Sequence, residues 1–230
     1  MVIVLDPGHG GIDTGAVGNG LQEKNLTLAI AQRAAGALSA YVADIYLTRN
    51  SDRYVSLSQR ATLANQKQAD AFLSIHINAG GGSGFESYRY SGQGVSPETV
   101  AFQSAFHQEM ATFYAQYTFP DRGMKTADFA VLRETKMKAV LSENLFIDQP
   151  TDAQFLQAHL QLIGDATARA LATALHLSPV SSPPPAPTAL YRVLVDGEQI
   201  GAYAQIENIL RAVSEYLGSA REIRIQRIST

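Results

Sequence analysis

Short, largely apolar runs alternate along the chain with longer stretches whose apolar positions recur at helical spacing. Val2–Leu5, Ala71–Ile77 and Ala139–Ser142 are runs of strand length, and the first ends abruptly in Asp6-Pro7-Gly8. Runs of this kind predict strands buried on both faces. Leu26, Ile30, Ala31, Ala34 and Leu38 share one helical face, and Leu57–Gln68 also reads as a helix. Pro97 opens a long amphipathic helix through Phe102, Phe106, Met110 and Phe113, a stripe read as core. Asp152–Leu175 predicts a closing helix. Asp44–Thr48 reads as an outer strand, and Phe85–Tyr90 as a strand behind the glycine-rich segment Gly80–Gly84. The alternation predicts an α/β fold with helices on both faces of its sheet.

One segment breaks the pattern. Ser178–Thr188 holds five of the nine prolines and no charged residue. Such a stretch favours extended polyproline conformations and reads as an interdomain linker. It divides the chain into a front domain, 1–177, and a small module, 189–230. In the module, Tyr191–Val195 and Gln199–Tyr203 flank Asp196-Gly197, a hairpin signal. Ile206, Ile209, Leu210, Val213, Tyr216 and Leu217 then share a helical face, and Glu222–Ile228 closes as a strand. A ββαβ unit this small has a thin core. It is expected to pack on the front domain or to pair with a second copy, making the protein a homo-oligomer.

Charge narrows the partners. Eighteen Lys and Arg stand against 21 Asp and Glu, a formal net charge of −3. No bulk basic field marks nucleic acid or an anionic membrane as a partner. The absence of cysteine excludes disulfides, zinc fingers and thiol nucleophiles. The opening run Met1–Leu5 is too short for a transmembrane helix and lacks the parts of a signal peptide. The expectation is a protein made in the cytoplasm without a signal peptide.

Four side chains fall where open α/β sheets gather their ligands, beyond the carboxyl ends of strands. His9 follows the first strand, His76 nears the end of Ala71–Ile77, Glu143 follows Ala139–Ser142, and Glu23 opens the first helix. Two imidazoles and a carboxylate are the ligand set of a catalytic zinc site with one position left to water. A further carboxylate can move the proton. His9, Glu23 and His76 are thus candidate ligands and Glu143 a candidate base. Their separations of 14, 53 and 67 residues match no His-Glu-x-x-His helix, so histidines satisfied by local hydrogen bonds remain the alternative. Asp6 and Asn78 are candidates to orient ligands, with Glu86 either behind them or structural. His107, His159 and His176 are expected to face solvent or to be satisfied locally, and Arg221, Arg224 and Arg227 to line a solvated edge. Phosphate loops fail in detail: Gly8-His9-Gly10 lacks the third glycine, and no Gly-Lys-Ser/Thr motif occurs. A serine hydrolase fails as well, because the glycine run around Ser83 ends in Phe85 where the nucleophile elbow needs glycine.

Asp6-Pro7-Gly8-His9-Gly10-Gly11, Glu23-Lys24-Asn25, Ser74-Ile75-His76-Ile77-Asn78-Ala79 and Val131-Leu132-Arg133 through Glu143-Asn144-Leu145-Phe146-Ile147 occur in one order. Together they resemble the zinc-dependent N-acetylmuramoyl-L-alanine amidases of the amidase-3 family, from residue 2 to about 175. The resemblance implies a mixed, mostly parallel sheet flanked by helices. It implies one zinc per chain on His9, Glu23 and His76, with Glu143 as the catalytic glutamate. The substrate implied is peptidoglycan, cut between N-acetylmuramic acid and L-alanine of the stem peptide, with Arg122 and Arg133 as candidates to meet a stem-peptide carboxylate. Some relatives plug the site with an inserted helix; here the stretch between His76 and Glu143 is already filled, so self-inhibition of that kind is not expected. A catalyst, a linker and a small module suit work on an insoluble polymer, the module holding the wall or dimerising the chain. Without an export signal, the expected setting is a phage or prophage endolysin acting at the wall after release. The alternatives are a mother-cell lytic amidase of a spore-former and a non-catalytic wall binder.

Overall fold

In the computed structural model, residues 1–180, 190–203, 206–214 and 216–228 are described. They form two compact units, Met1–Pro179 and Val180–Thr230. The linker expected at 178–188 lies mostly outside the described residues. Its first two residues belong to the first unit: Val42 N–H donates to the Ser178 carbonyl at 2.9 Å, and Pro179 bridges to Tyr41.

The first unit runs β1 (Val2–Pro7), β2 (Val17–Gly18), β3 (Leu21–Gln22), α1 (Glu23–Leu38), β4 (Asp44–Leu47), α2 (Leu57–Gln66) and β5 (Ala71–Asn78). It continues with β6 (Phe85–Tyr90), α3 (Pro97–Ala115), β7 (Asp121–Ala127), α4 (Ala130–Arg133), β8 (Lys138–Phe146) and α5 (Pro150–Ala174). Six strands form one sheet in the order β4-β1-β5-β8-β6-β7. Only the β6–β8 pairing is antiparallel. This is the mixed, mostly parallel sheet expected.

Alternation along the strands divides the core in two, because successive side chains point to opposite faces. Ile3, Leu5, Leu73, Ile75 and Val140 pack with α1, α3 and α5, where Phe102, Phe106, Met110 and Phe113 are all buried. Val4, Phe72, Ala139 and Leu141 face the other way, onto α2 and α4. The two layers are unequal: α1, α3 and α5 have 16, 19 and 25 residues, α2 and α4 only 10 and 4. Asp6, Ser74, His76 and Glu143 continue the Val4, Phe72 and Leu141 series and so lie on the thinly covered face. Local signals set the helix starts. Ser56 and Gln59 close a reciprocal capping box on α2, and Ser96 caps α3 just before Pro97.

The periodicity does not reveal β7. Its sequence, Asp-Arg-Gly-Met-Lys-Thr-Ala, has no apolar alternation, because it is the sheet's edge and covers little core. A bulge interrupts β8: His76 pairs with Glu143 but Asn78 with Phe146, one residue out of step. Leu145, buried inside the bulge, takes φ = 67°, a strained conformation for a side chain of its kind.

The second unit contains β9 (Leu190–Val195), β10 (Glu198–Tyr203), α6 (Ile206–Ser214) and β11 (Ile223–Ile228). It is the expected ββαβ, an antiparallel sheet in the order β10-β9-β11. Asp196 and Gly197 both have positive φ, as a two-residue hairpin turn matched to strand twist requires. Arg221, Arg224 and Arg227 are exposed, as expected of a solvated edge.

Candidate active site

Beyond the carboxyl ends of β1 and β5, the chain brings three distant segments together at the first residue of α1. Gly8 N–H donates to the Ile75 carbonyl at 3.0 Å, laying the loop after β1 against β5. A Cβ on Gly8 would stand 2.4 Å from the His76 ring, so only glycine lets that imidazole lie across the loop. His9 follows with φ = 62°, a conformation that β-carbon sterics disfavour. Two arginines secure it: Arg49 donates to the Pro7 and Gly8 carbonyls, and Arg60 to the Pro7 and His9 carbonyls. On the far side, a Cβ on Gly15 would meet Glu23 Oε2 and the His9 ring at 2.6 Å.

Glu23 sits at the centre, 3% exposed. Its Oε1 faces His76 Nδ1 at 2.9 Å and accepts from Ile77 N–H at 3.0 Å. Its Oε2 lies 3.2 Å from His9 Nε2 and accepts from Ala16 N–H at 2.8 Å. Burial opposes ionisation of Glu23, yet the two imidazoles outweigh it and hold the carboxyl far below its usual range. The same contacts raise both histidines against the burial that would lower them. Asp13 takes the remaining nitrogen of His9, with Nδ1 at 2.9 Å, which turns Nε2 inward. His9, Glu23 and His76 each offer a ligand atom, all within 4.8 Å of one another.

Glu143 stands beside them as the cross-strand partner of His76. Its Oε2 is buried with no hydrogen-bond partner among the described residues. Burial pushes its carboxyl up to about 7, against the pull of His76. Such an acceptor, poised near neutrality beside a set of donors that could hold a metal ion, suits proton transfer. The donor set itself, two imidazoles and a deprotonated carboxylate, fits a zinc ion.

The family model for N-acetylmuramoyl-L-alanine amidases matches residues 3–173. The chain belongs to the amidase-3 family. A sporulation-specific N-acetylmuramoyl-L-alanine amidase of Bacillus subtilis is 46% identical over 209 residues, covering 87% of this chain and 74% of the relative. The endolysin of Bacillus phage SPP1 is 42% identical over 180 residues, covering 76% and 66%. An N-acetylmuramoyl-L-alanine amidase of Nostoc punctiforme has a similar structure, with a TM-score of 0.70 and 31% identity, covering 76% of this chain and 97% of that one.

Within this amidase-3 domain, four of the candidate residues, His9, Glu23, His76 and Glu143, gather in one place. The others divide. Asp6 does not touch an imidazole; it is buried, accepting from Thr48, Arg60 and Ser74, and reaches His9 only through Arg60. Asn78 donates to Glu86 at 2.8 Å rather than to a candidate ligand. Glu86 is buried and collects Asn78, Tyr88, Arg122 and Lys125; burial opposes its ionisation, but Lys125, Tyr88 and Arg122 hold its carboxyl down at about 2. Arg133 is apart: it pairs with Asp128 and lines a separate cavity with Tyr90 and Lys138, which begins β8 at the end away from Glu143. His107 departs from the expectation that it faces solvent or is satisfied locally. It is buried between Ser87 and Asp121 at 2.8 Å each, tying α3 to β6 and β7. His159 is satisfied locally by the Phe155 carbonyl, and His176 is exposed beyond α5.

Asp13, Arg49, Arg60 and Lys125 escaped the sequence reading. Asp13 had a usable signal, four residues after His9. The buried arginines had none, since their acceptors, mostly backbone carbonyls with the Asp6 carboxylate and the Thr27 hydroxyl, are brought close only by the fold.

Proposed function

We propose that the chain hydrolyses the amide between N-acetylmuramic acid and the L-alanine of peptidoglycan stem peptides. The observation that carries this reading is the convergence of His9, Glu23 and His76 beside the unpartnered Oε2 of Glu143, in a chain of the amidase family. His9, Glu23 and His76 would hold one zinc ion. When bound, zinc supplies Lewis-acid polarisation of the scissile carbonyl and lowers the pKa of water to ~7. The protein's own residues do the rest. Asp13 fixes the His9 tautomer, and backbone N–H groups of Ala16 and Ile77 hold Glu23 in one orientation. Glu143 takes a proton from water at Oε2 and passes it to the departing nitrogen of L-alanine. The Arg49 and Arg60 contacts keep the His9 loop rigid through both steps.

Residues 1–177 form the catalytic part in this reading, and 189–230 a separate module that holds the wall and keeps the catalyst close to its polymer. For the biological setting, the sporulation-specific relative matches more of the chain than the phage endolysin, 87% against 76%. A phage or prophage endolysin and a mother-cell lytic amidase of a spore-former both fit these relatives. No helix among the described residues is long and apolar enough to cross a membrane.

Mass spectrometry of digested peptidoglycan tests the bond. Free L-alanine amino termini should appear with no new reducing sugar ends; new reducing ends would mean a glycosidase and end this reading.

A further inference from the structure

A row of side chains crosses the sheet from the candidate cluster toward its far edge. His76 on β5 pairs with Glu143 on β8, and Glu143 pairs with Glu86 on β6. Beyond Glu86 lies β7, the edge strand, which supplies Arg122 and Lys125. Both cations engage the same oxygen of Glu86: Arg122 donates through Nε at 2.8 Å, and Lys125 through Nζ. Each is also braced on an aromatic ring. Arg122 lies 4.7 Å from the Phe146 centroid and Lys125 5.8 Å from that of Tyr88.

This is more cation than Glu86 needs. One buried carboxylate, 3% exposed, faces two positive charges, so the group keeps a net positive charge. The Arg122 and Lys125 side chains are 34% and 37% exposed, fixed in place yet open to a ligand. Arg122 spends only Nε on the protein; among the described residues neither terminal nitrogen has an acceptor. A braced guanidinium with its two-pronged end presented outward is suited to a carboxylate.

We propose that Arg122 and Lys125 form a subsite that reads a free carboxylate of the stem peptide; this rests on the amidase reading above. The chemistry of the bond says which side of the substrate is read. The lactyl carboxyl on the sugar side is consumed in the amide itself, so the free carboxylates lie on the amine side. Distance sets the position. Adjacent strands are ~4.8 Å apart, which puts β7 roughly 10 Å from β8 and Glu143. A peptide reaches at most ~3.3–3.6 Å per residue, so the carboxylate belongs to the second or third residue beyond the cut.

The test compares two soluble muramoyl tripeptides, one with its free carboxylates and one with the same groups converted to carboxamides. Arg122→Gln and Lys125→Met are made singly, so that Glu86 keeps one cation in each. The parent should prefer the acid at least ~10-fold in kcat/KM, mainly through KM, and added salt should shrink the preference. In each variant the acid-to-amide ratio should fall toward one. A parent that cleaves both compounds equally, or variants that lose activity on both while keeping the parent ratio, would overturn the subsite and leave the amidase reading intact. A parent that cleaves neither would overturn both together.

Discussion

Replacing Glu143 by Gln should lower turnover at least ~10²-fold, the scale of a positioned acid–base group, while metal content and melting temperature should stay near those of the parent. Attack of water on an amide needs a proton acceptor, and expulsion of the amine needs that proton returned. Oε2 of Glu143 is buried beside His76 without a partner, and burial raises its carboxyl to about 7. It can therefore accept and release a proton near neutral pH. Glutamine keeps the size and the carbonyl oxygen but removes the basic one. It also puts a neutral group where a charge is costly, so the fold has little to lose. Rates on a soluble muropeptide, metal analysis and thermal unfolding of the same preparation check all three points. Loss of the metal together with activity would make Glu143 a ligand, and the base would have to be another group.

Arg60→Met should cost about 3–5 kcal/mol of stability, because removing one partner of a buried ion pair leaves the other charge uncompensated. Arg60 and Asp6 meet at 2.7 Å with side chains 3% and 0% exposed. The same guanidinium donates to the carbonyls of Val55, Pro7 and His9, three acceptors that methionine cannot satisfy. Activity should fall as well, since the His9 loop loses its anchor. Adding Asp6→Asn should restore part of the stability by removing the stranded charge. Denaturant titration of the single and double variants measures both effects. A loss below about 1 kcal/mol, the range of exposed ion pairs, would show that the pair is not structural.

The legible parts of this chain are those where local chemistry and tertiary structure agree. Val2–Leu5 and Ala71–Ile77 read as buried strands because both of their faces are covered, and Asp6-Pro7-Gly8 ends the first where the site begins. The placement of His9, Glu23, His76 and Glu143 at strand ends and a helix start was readable for the same reason. What stayed hidden depends on contacts across long separations. Strand β7 is polar because it lies at the sheet's edge, and it is held by pairing with β6 and by side-chain contacts to α3 and Glu86 rather than by an apolar pattern of its own. His107 looked unpartnered in its own helix; its partners, Ser87 and Asp121, sit on two strands. Asp6, expected to orient a ligand, lies on the same face as His76 but is occupied by Arg60, Thr48 and Ser74; the carboxylate beside His9 Nδ1 is that of Asp13.

The proposed amidase chemistry depends most on His9, Glu23 and His76 acting as one metal site. Metal analysis of the purified protein and of His76→Ala, with unfolding followed in parallel, tests this directly. The parent should carry close to one zinc per chain. His76→Ala should remain folded, carry little zinc and hydrolyse no muropeptide. A folded His76→Ala protein that keeps a full complement of zinc and full activity would contradict the account.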